Sequence, residues 1–335
     1  MSHIQSQRYA RIVATGRYVP AKRVTNQELE ARYGRPLDEW LQENVGISAR
    51  HFAASDEATS DLAAKAAHVA LERAGVSPQE VDLLIVATDT PDYLSPATAS
   101  VVQHKLGIST NAGVFDVNNA CAAFVTGVII AGKFLATEPH YDTALVIGAY
   151  AMSKFLDWDD YKTATVFADG AGAVVLQASE EPGILSSKMI ADGQYHDYMG
   201  IYAGGTFRPI TPELMEQREH CLKIQKRFPP DVNSANWPKL VRFVVEGAGY
   251  RVQDIARVYF TQINVNTIKE VMGELGLPLE RTHWVMDKWG YTGSACIPMA
   301  LDDHIEQGKG PKPGDLVVLC ASGGGYAMAA CALRW

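Results

Sequence analysis

The 335-residue sequence predicts an α/β protein made of two similar halves packed as one body, and two observations carry that expectation. The first is a repeat. "ALERAGVSPQEVDLLIVATDT" (Ala70–Thr90) and "VVEGAGYRVQDIARVYFTQIN" (Val244–Asn264) follow one plan. Each has a helix end closed by Ala-Gly, a short polar turn, and a β-rich apolar run that reads as a buried strand. Ala74-Gly75 stands 174 positions before Ala248-Gly249, and Gln79-Glu80 stands equally far before Gln253-Asp254. The second observation is a Gly-rich stretch late in each half. "VFADGAGAVVLQ" (Val166–Gln177) and "LCASGGGYAMAACAL" (Leu319–Leu333) each read as a turn between two apolar strands. Strands alternating with helices give mixed α/β layers. The seam falls in "SEEPGILSS" (Ser179–Ser187) and divides the chain into residues 1–180 and 181–335. The polar stretch "RPITPELMEQREHCLKIQKRFPPDVNSANWP" reads as an irregular insertion with a helix in it.

Composition narrows the function classes. With 47% hydrophobic and 20% charged residues, the chain is ordinary globular material. A net charge of −8, with no block of Lys and Arg, argues against a nucleic-acid surface. Five cysteines without CxxC spacing point to neither zinc nor a disulfide framework, and favour a reducing, cytoplasmic setting. The stretch "MSHIQSQRYARIVATGRYVP" lacks an apolar signal core, and no run is expected to reach the length of a membrane span.

One segment carries a candidate reactive group. In "DVNNACAAFVTGVIIAGKFLAT" (Asp116–Thr137), Cys121 follows a short polar turn and opens a small, apolar run. Read alone, Cys121 is either a small core residue or a nucleophile at the start of a buried helix. A helix N-terminus leaves backbone N–H groups unpaired and carries partial positive charge. A thiolate there is stabilised, and the thiolate is the reactive form. The same N–H groups can hold the oxyanion formed when a thioester carbonyl is attacked.

Six motifs in order bear on the choice: "EWLQENVGISARH", "DTPDYLSPATASVVQHKLG", "FDVNNACAAFVTG", "FADGAGAVVL", "DKWGYTGSACIPMAL" and "KPGDLVVLCASGGGYAMAACALRW". They resemble successive motifs of the β-ketoacyl-acyl-carrier-protein synthase III family, thiolase-like condensing enzymes, over nearly the whole chain. The resemblance implies a thiolase-like five-layered α-β-α-β-α fold and a homodimer. It implies an acyl-CoA or acyl-carrier-protein thioester as substrate, with no metal and no other cofactor. It makes Cys121 the acyl-accepting nucleophile, with the backbone N–H groups of Cys121 and Gly324 as the oxyanion hole. Glycine at 324 would let the backbone come close. Trp40 would stack on the adenine of coenzyme A, and Ser95 would lie at the acyl pocket of the neighbouring subunit.

The sequence departs from that family at its polar partners. The family completes its site with the histidine of "HQAN" and the asparagine of "GNTSAASIP". Here "TQIN" puts Thr261 at the histidine position while Gln262 and Asn264 keep theirs, and "GYTGSACIP" puts Tyr291 at the asparagine. The family uses that pair as donors to the enolate oxygen formed when the second substrate loses CO₂. One lost oxyanion donor costs about 3–4 kcal/mol of transition-state stabilisation. Thr261 and Tyr291 can each donate a hydrogen bond, but neither shuttles a proton near neutral pH as imidazole does. His196, in "GQYHDYMGIYAGG", is the histidine whose loop could approach the pocket. Asn44, Tyr161 and Asn266 stand where the family carries three arginines toward coenzyme A and the carrier. Binding of coenzyme A is therefore expected to be weak and insensitive to salt, with Lys223, Lys226 and Arg227 read as an exposed helix face.

The leading expectation is an acyltransferase that loads Cys121 from a thioester and passes the acyl group to an acceptor, in specialised fatty-acid, polyketide or secondary metabolism. The rival is a non-catalytic or half-catalytic subunit that partners an active ketosynthase paralogue. Retention of Cys121, the Gly324 turn and Trp40 favours the enzyme.

Overall fold

A computed structural model describes residues 8–335, so the first part of the N-terminal stretch discussed above lies outside the described residues. The first half runs β1 (Tyr9–Tyr18), β2 (Lys22–Thr25), α1 (Asn26–Tyr33), α2 (Asp38–Asn44), β3 (Ala49–Phe52), α3 (Thr59–Ala74) and β4 (Leu83–Ala87). It continues α4 (Thr98–Leu106), β5 (Gly113–Val117), α5 (Ala123–Thr137), β6 (Thr143–Ala151), α6 (Tyr161–Ala164) and β7 (Asp169–Ser179). The second half runs β8 (Ile184–Ala191), β9 (Met199–Gly200), α7 (Pro212–Glu216), β10 (Lys223–Ile224), α8 (Trp237–Gly247) and β11 (Ile255–Phe260). Then come α9 (Val265–Leu275), α10 (Met286–Trp289), α11 (Cys296–Glu306), β12 (Leu316–Gly323) and β13 (Ala327–Arg334).

The repeat is physical. Gly75 ends α3 in the left-handed region at φ 65°, and Gly249 does the same after α8 at φ 81°. A one-turn helix follows each, at Pro78–Glu80 and Val252–Asp254. In both, the acidic last residue reaches back to a backbone N–H: Ser77 to Glu80 and Arg251 to Asp254, each at 2.8 Å. These capping contacts aim the chain into the buried strands β4 and β11.

The two sheets then repeat one topology. The first has strand order β1-β7-β6-β4-β5, and the second, read from β8, has β8-β13-β12-β11. In each, read in that order, the first two pairings are antiparallel and the third, β6 with β4 or β12 with β11, is parallel. The counterpart of β5 is reduced to a single parallel bridge from Val258 to Thr282. Helices α5 and α11 lie between the sheets, α3 and α4 cover one outer face, and α8 and α9 cover the other. This is the five-layered α-β-α-β-α order.

Two features run against the sequence reading. "VFADGAGAVVLQ" is not a turn, because Gly170 and Gly172 lie inside β7. Their role is close approach: a Cβ on Gly172 would meet the Met299 backbone nitrogen at 2.7 Å, and one on Gly148 in β6 would meet the Ser294 carbonyl oxygen at 2.4 Å. Bare glycine lets α11 lie directly on the first sheet. Secondly, the run Ala120–Thr137 does reach membrane-span length, at 18 residues with mean hydropathy 1.8. It is core instead, packed between the two sheets with 67% of its residues buried. A fully buried Asp302 on α11 ties the layers further, accepting from Thr15 at 2.6 Å, from Arg73 at 2.6 Å and from Arg17.

Gly172→Val should therefore destabilise the protein by at least about 1–3 kcal/mol, the ordinary cost of overpacking. Urea denaturation would show it as a lowered midpoint with an unchanged slope.

Candidate active site

The chain leaves β5 at Val117, turns through Asn118–Ala120 and enters α5. Ala120 sits at φ 46°, a conformation that a residue with a Cβ rarely adopts. The turn is held by Ala122 N–H donating to the Asn119 carbonyl at 3.1 Å and Ala123 N–H donating to the Ala120 carbonyl at 3.0 Å. This places Cys121, 5% exposed, at the foot of α5. From the second half, the β12–β13 turn meets it. A Cβ on Gly323 would come within 2.8 Å of the Cys121 backbone nitrogen and 2.9 Å of the Asn119 carbonyl oxygen. The glycine that close approach demands is thus Gly323. Gly324 is less crowded, with its nearest contact the Met199 carbonyl at 3.3 Å.

Cys121, Thr261, Tyr291 and Gly324 line one cavity of about 200 Å³, with Phe228 and Asn233 from the insertion. No histidine is among its lining residues. Tyr291 is buried beside Cys121, its hydroxyl acts to lower the thiol pKa, and its ring packs 5.4 Å from that of Phe167. Burial pushes the Tyr291 phenol well above its usual range, so it stays a protonated donor. Thr261 is differently placed from the expectation of a free donor. Its hydroxyl donates to the Ser322 carbonyl at 3.3 Å and accepts from Ser322 N–H at 3.0 Å. Both roles are taken by β12.

The thiol itself corrects the sequence argument. Burial pushes the Cys121 thiol far above its usual range, and the neighbouring Asp89 charge adds to this. The Tyr291 hydroxyl acts in the opposite direction but is the smaller effect. A resting thiolate, as inferred from the helix terminus alone, is therefore opposed by the surroundings.

A second cavity, about 410 Å³, opens on the other side of Cys121. Asp89, Tyr150, His196, Tyr202 and Gly324 are among its lining residues. His196 does reach the neighbourhood of Cys121, although its side is the exposed rim. Asp89 was not singled out in the sequence, where it lies in the repeat's β-rich run ending at Thr90.

Trp40 is 57% exposed and lines a third cavity, about 500 Å³, with Arg35, Tyr161, Lys162 and Arg227. The Arg35 guanidinium lies 4.0 Å from the centre of the Tyr161 ring. Cations therefore do surround Trp40, supplied by positions other than Asn44, Tyr161 and Asn266. Residues 35, 162 and 227 are far apart in sequence, so no local signal announced them. Lys223 and Lys226 are not part of a helix face: Lys223 belongs to the short strand β10, and the two pair with Asp157 and Asp197. Arg227 and Phe228 are consecutive, so the insertion lines both this cavity and that of Cys121.

Two other candidates lie elsewhere. Asn264 caps α9, its side chain accepting from Asn266 N–H at 2.8 Å, and lines none of the three cavities. Ser95 is exposed, between Leu94 at 86% exposure and Pro96, and reaches no cavity beside Cys121 of its own chain.

Comparison with known proteins agrees with this geometry. The family described as 3-oxoacyl-[acyl-carrier-protein (ACP)] synthase III matches residues 115–193, and its C-terminal counterpart matches residues 245–335. The structure of 3-oxoacyl-[acyl-carrier-protein] synthase III from Aquifex aeolicus is 33% identical, with a TM-score of 0.86 over 97% of this chain and 100% of that one. The enzyme from Thermus thermophilus gives 33% identity and a TM-score of 0.86 over 97% and 99%. The priming β-ketosynthase of the R1128 polyketide pathway gives 28% identity and a TM-score of 0.89 over 99% and 98%.

Because the Tyr291 hydroxyl lowers the Cys121 thiol pKa, Tyr291→Phe should raise it further and slow thiol chemistry. Alkylation of Cys121 by iodoacetamide at fixed neutral pH should fall several-fold, by about tenfold for each 1.4 kcal/mol lost. Mass mapping of the alkylated peptide over time measures this directly.

Proposed function

Because the chain belongs to the 3-oxoacyl-[acyl-carrier-protein] synthase III family, we propose that it is an acyltransferase in which Cys121 takes an acyl group from a coenzyme A or carrier-protein thioester and passes it to an acceptor, in specialised fatty-acid, polyketide or secondary metabolism. One observation carries the reading. The Cys121 cavity brings together a buried cysteine, the close glycine turn and a buried hydroxyl, with Thr261 and Tyr291 at the positions where the motif resemblance expects histidine and asparagine. Residues 1–180 supply the nucleophile, and residues 181–335 supply the turn that faces it.

In the loading step the Cys121 sulfur attacks the thioester carbonyl, the oxyanion is held by the N–H groups of Cys121 and Gly324, and the carrier thiol leaves. With the thiol raised by burial, proton loss accompanies attack rather than preceding it. No cofactor beyond the thioester substrate is required. Arg35, Lys162 and Arg227 around Trp40 are suited to the phosphates of coenzyme A. Decarboxylative condensation is a different demand. It needs donors for an enolate oxygen, and the Thr261 hydroxyl is already engaged with Ser322.

That engagement, with the raised thiol, also favours a second reading: a half-catalytic subunit partnering an active paralogue. The two readings part on turnover, since only the enzyme accepts and releases an acyl group alone. A homodimer fits either. Tyr93 and Leu94, exposed at 56% and 86%, form an apolar patch in the loop where the family resemblance places the subunit contact.

Given a malonyl thioester, the protein should release CO₂ near background while still discharging simple acyl groups to small nucleophiles. Thr261→His with Tyr291→Asn should raise CO₂ release, with room for the imidazole in the adjoining cavity. Rapid CO₂ release by the unaltered protein would contradict the reading. Coenzyme A binding should weaken between low and high salt, and further on Arg227→Ala, as calorimetry would show. Sedimentation should give a species near twice 36.5 kDa.

A further inference from the structure

The cavity beyond Cys121 contains a carboxyl group that the loading step does not use. Asp89 follows the carboxyl end of β4, beside the turn that carries Cys121. Its Oδ1 is sealed from solvent without a hydrogen-bond partner, while the rest of the residue is partly accessible and lines the cavity. A buried polar oxygen left unpaired is rare in a folded protein and calls for a partner that arrives in function. The other titratable groups lining this cavity are Cys121, Tyr150, His196 and Tyr202. Burial pushes the Tyr150 phenol far up and Tyr202 up to about 12, so both are neutral. The Tyr202 hydroxyl also lacks a partner. His196 is the one imidazole, and it is exposed. No lysine or arginine lines the cavity, and burial raises the Asp89 carboxyl to about 6. A general base serves best when its pKa lies near the working pH.

We propose that Asp89 is the general base of the transfer step, taking the proton from a hydroxyl or amine acceptor bound in this cavity as that acceptor attacks the acyl group on Cys121. The proposal rests on the acyltransferase reading and narrows its acceptor to oxygen and nitrogen nucleophiles. The acceptor heteroatom forms a bond to the acyl carbonyl carbon, and its proton passes to Asp89. The carbonyl π pair moves to oxygen, then returns as the carbon–sulfur bond breaks and its electron pair leaves on the Cys121 sulfur. The protonated Asp89 gives its proton to that sulfur. The products are an ester or amide, a free Cys121 thiol and an Asp89 carboxylate. The environment that opposes a Cys121 thiolate also makes an unprotonated sulfur a poor leaving group, so the returned proton assists departure.

The test starts from protein acylated at Cys121 by a short acyl thioester and freed of donor. Discharge is followed by mass spectrometry with methoxyamine, which stays unprotonated across the range used, and separately with 1-butanol. In the unaltered protein the rate should fall as pH drops through about 6 and level off above it, because the base must be a carboxylate. Asp89→Asn, nearly the same shape, should slow the plateau rate about 10²-fold or more and flatten the profile. His196→Gln should keep the inflection. Discharge by Asp89→Asn at the unaltered rate would overturn the proposal, as would an inflection that survives in Asp89→Asn or disappears with His196. Failure of Asp89→Asn to accept an acyl group at all would also overturn it, by placing Asp89 in loading. If the unaltered protein is not acylated at Cys121, the acyltransferase reading itself fails.

Discussion

The site depends on one contact, the backbone of Gly323 lying against the backbone of Cys121. A Cβ at Gly323 would stand 2.8 Å from the Cys121 nitrogen, so no other residue fits there without moving the turn. The contact joins two halves that each contribute an incomplete centre. The first supplies Cys121 at the foot of α5, and the second supplies the turn leaving β12 that faces it. For these to meet, α11 must lie directly on the first sheet, which Gly148 and Gly172 permit and the buried Asp302 secures.

Burial decides the electrostatics. A helix terminus stabilises a charge by about 0.3–1 kcal/mol in the usual case, while one pKa unit corresponds to about 1.4 kcal/mol. Even at the roughly 2 kcal/mol that a partly buried terminus can reach, α5 offsets only part of what burial does to the Cys121 thiol. The same dryness keeps Tyr150 and Tyr291 protonated. With the Cys121 thiol and both phenols neutral, proton loss from the thiol accompanies bond making instead of preceding it.

Much of this was legible in the sequence. The repeat around Gly75 and Gly249 is local chemistry, since a left-handed cap and a reciprocal acidic contact each need a particular residue at a fixed spacing. Motif order indicated the fold and brought Cys121, Thr261, Tyr291 and Gly324 together. What was illegible is non-local or two-valued. Glycines in β7 look like a turn until α11 is seen lying on them. Asn264, a substrate-binding position by the family match, serves as a helix cap. Arg35, Lys162 and Arg227 converge on Trp40 only through folding. The hydroxyl of Thr261 looks free until Ser322 occupies it, and Asp89 is only the end of a β-rich run until its oxygen is found buried and unpaired beside Cys121.

The most direct measurement is intact-protein mass spectrometry after incubation with a panel of acyl thioesters, followed by peptide mapping. The account predicts one added acyl mass per chain, located at Cys121 and absent in Cys121→Ala. The other four cysteines should be unmodified, because they are buried and line none of the cavities beside the nucleophile. No acyl adduct with any donor, or an adduct at Cys296 that persists in Cys121→Ala, would contradict it.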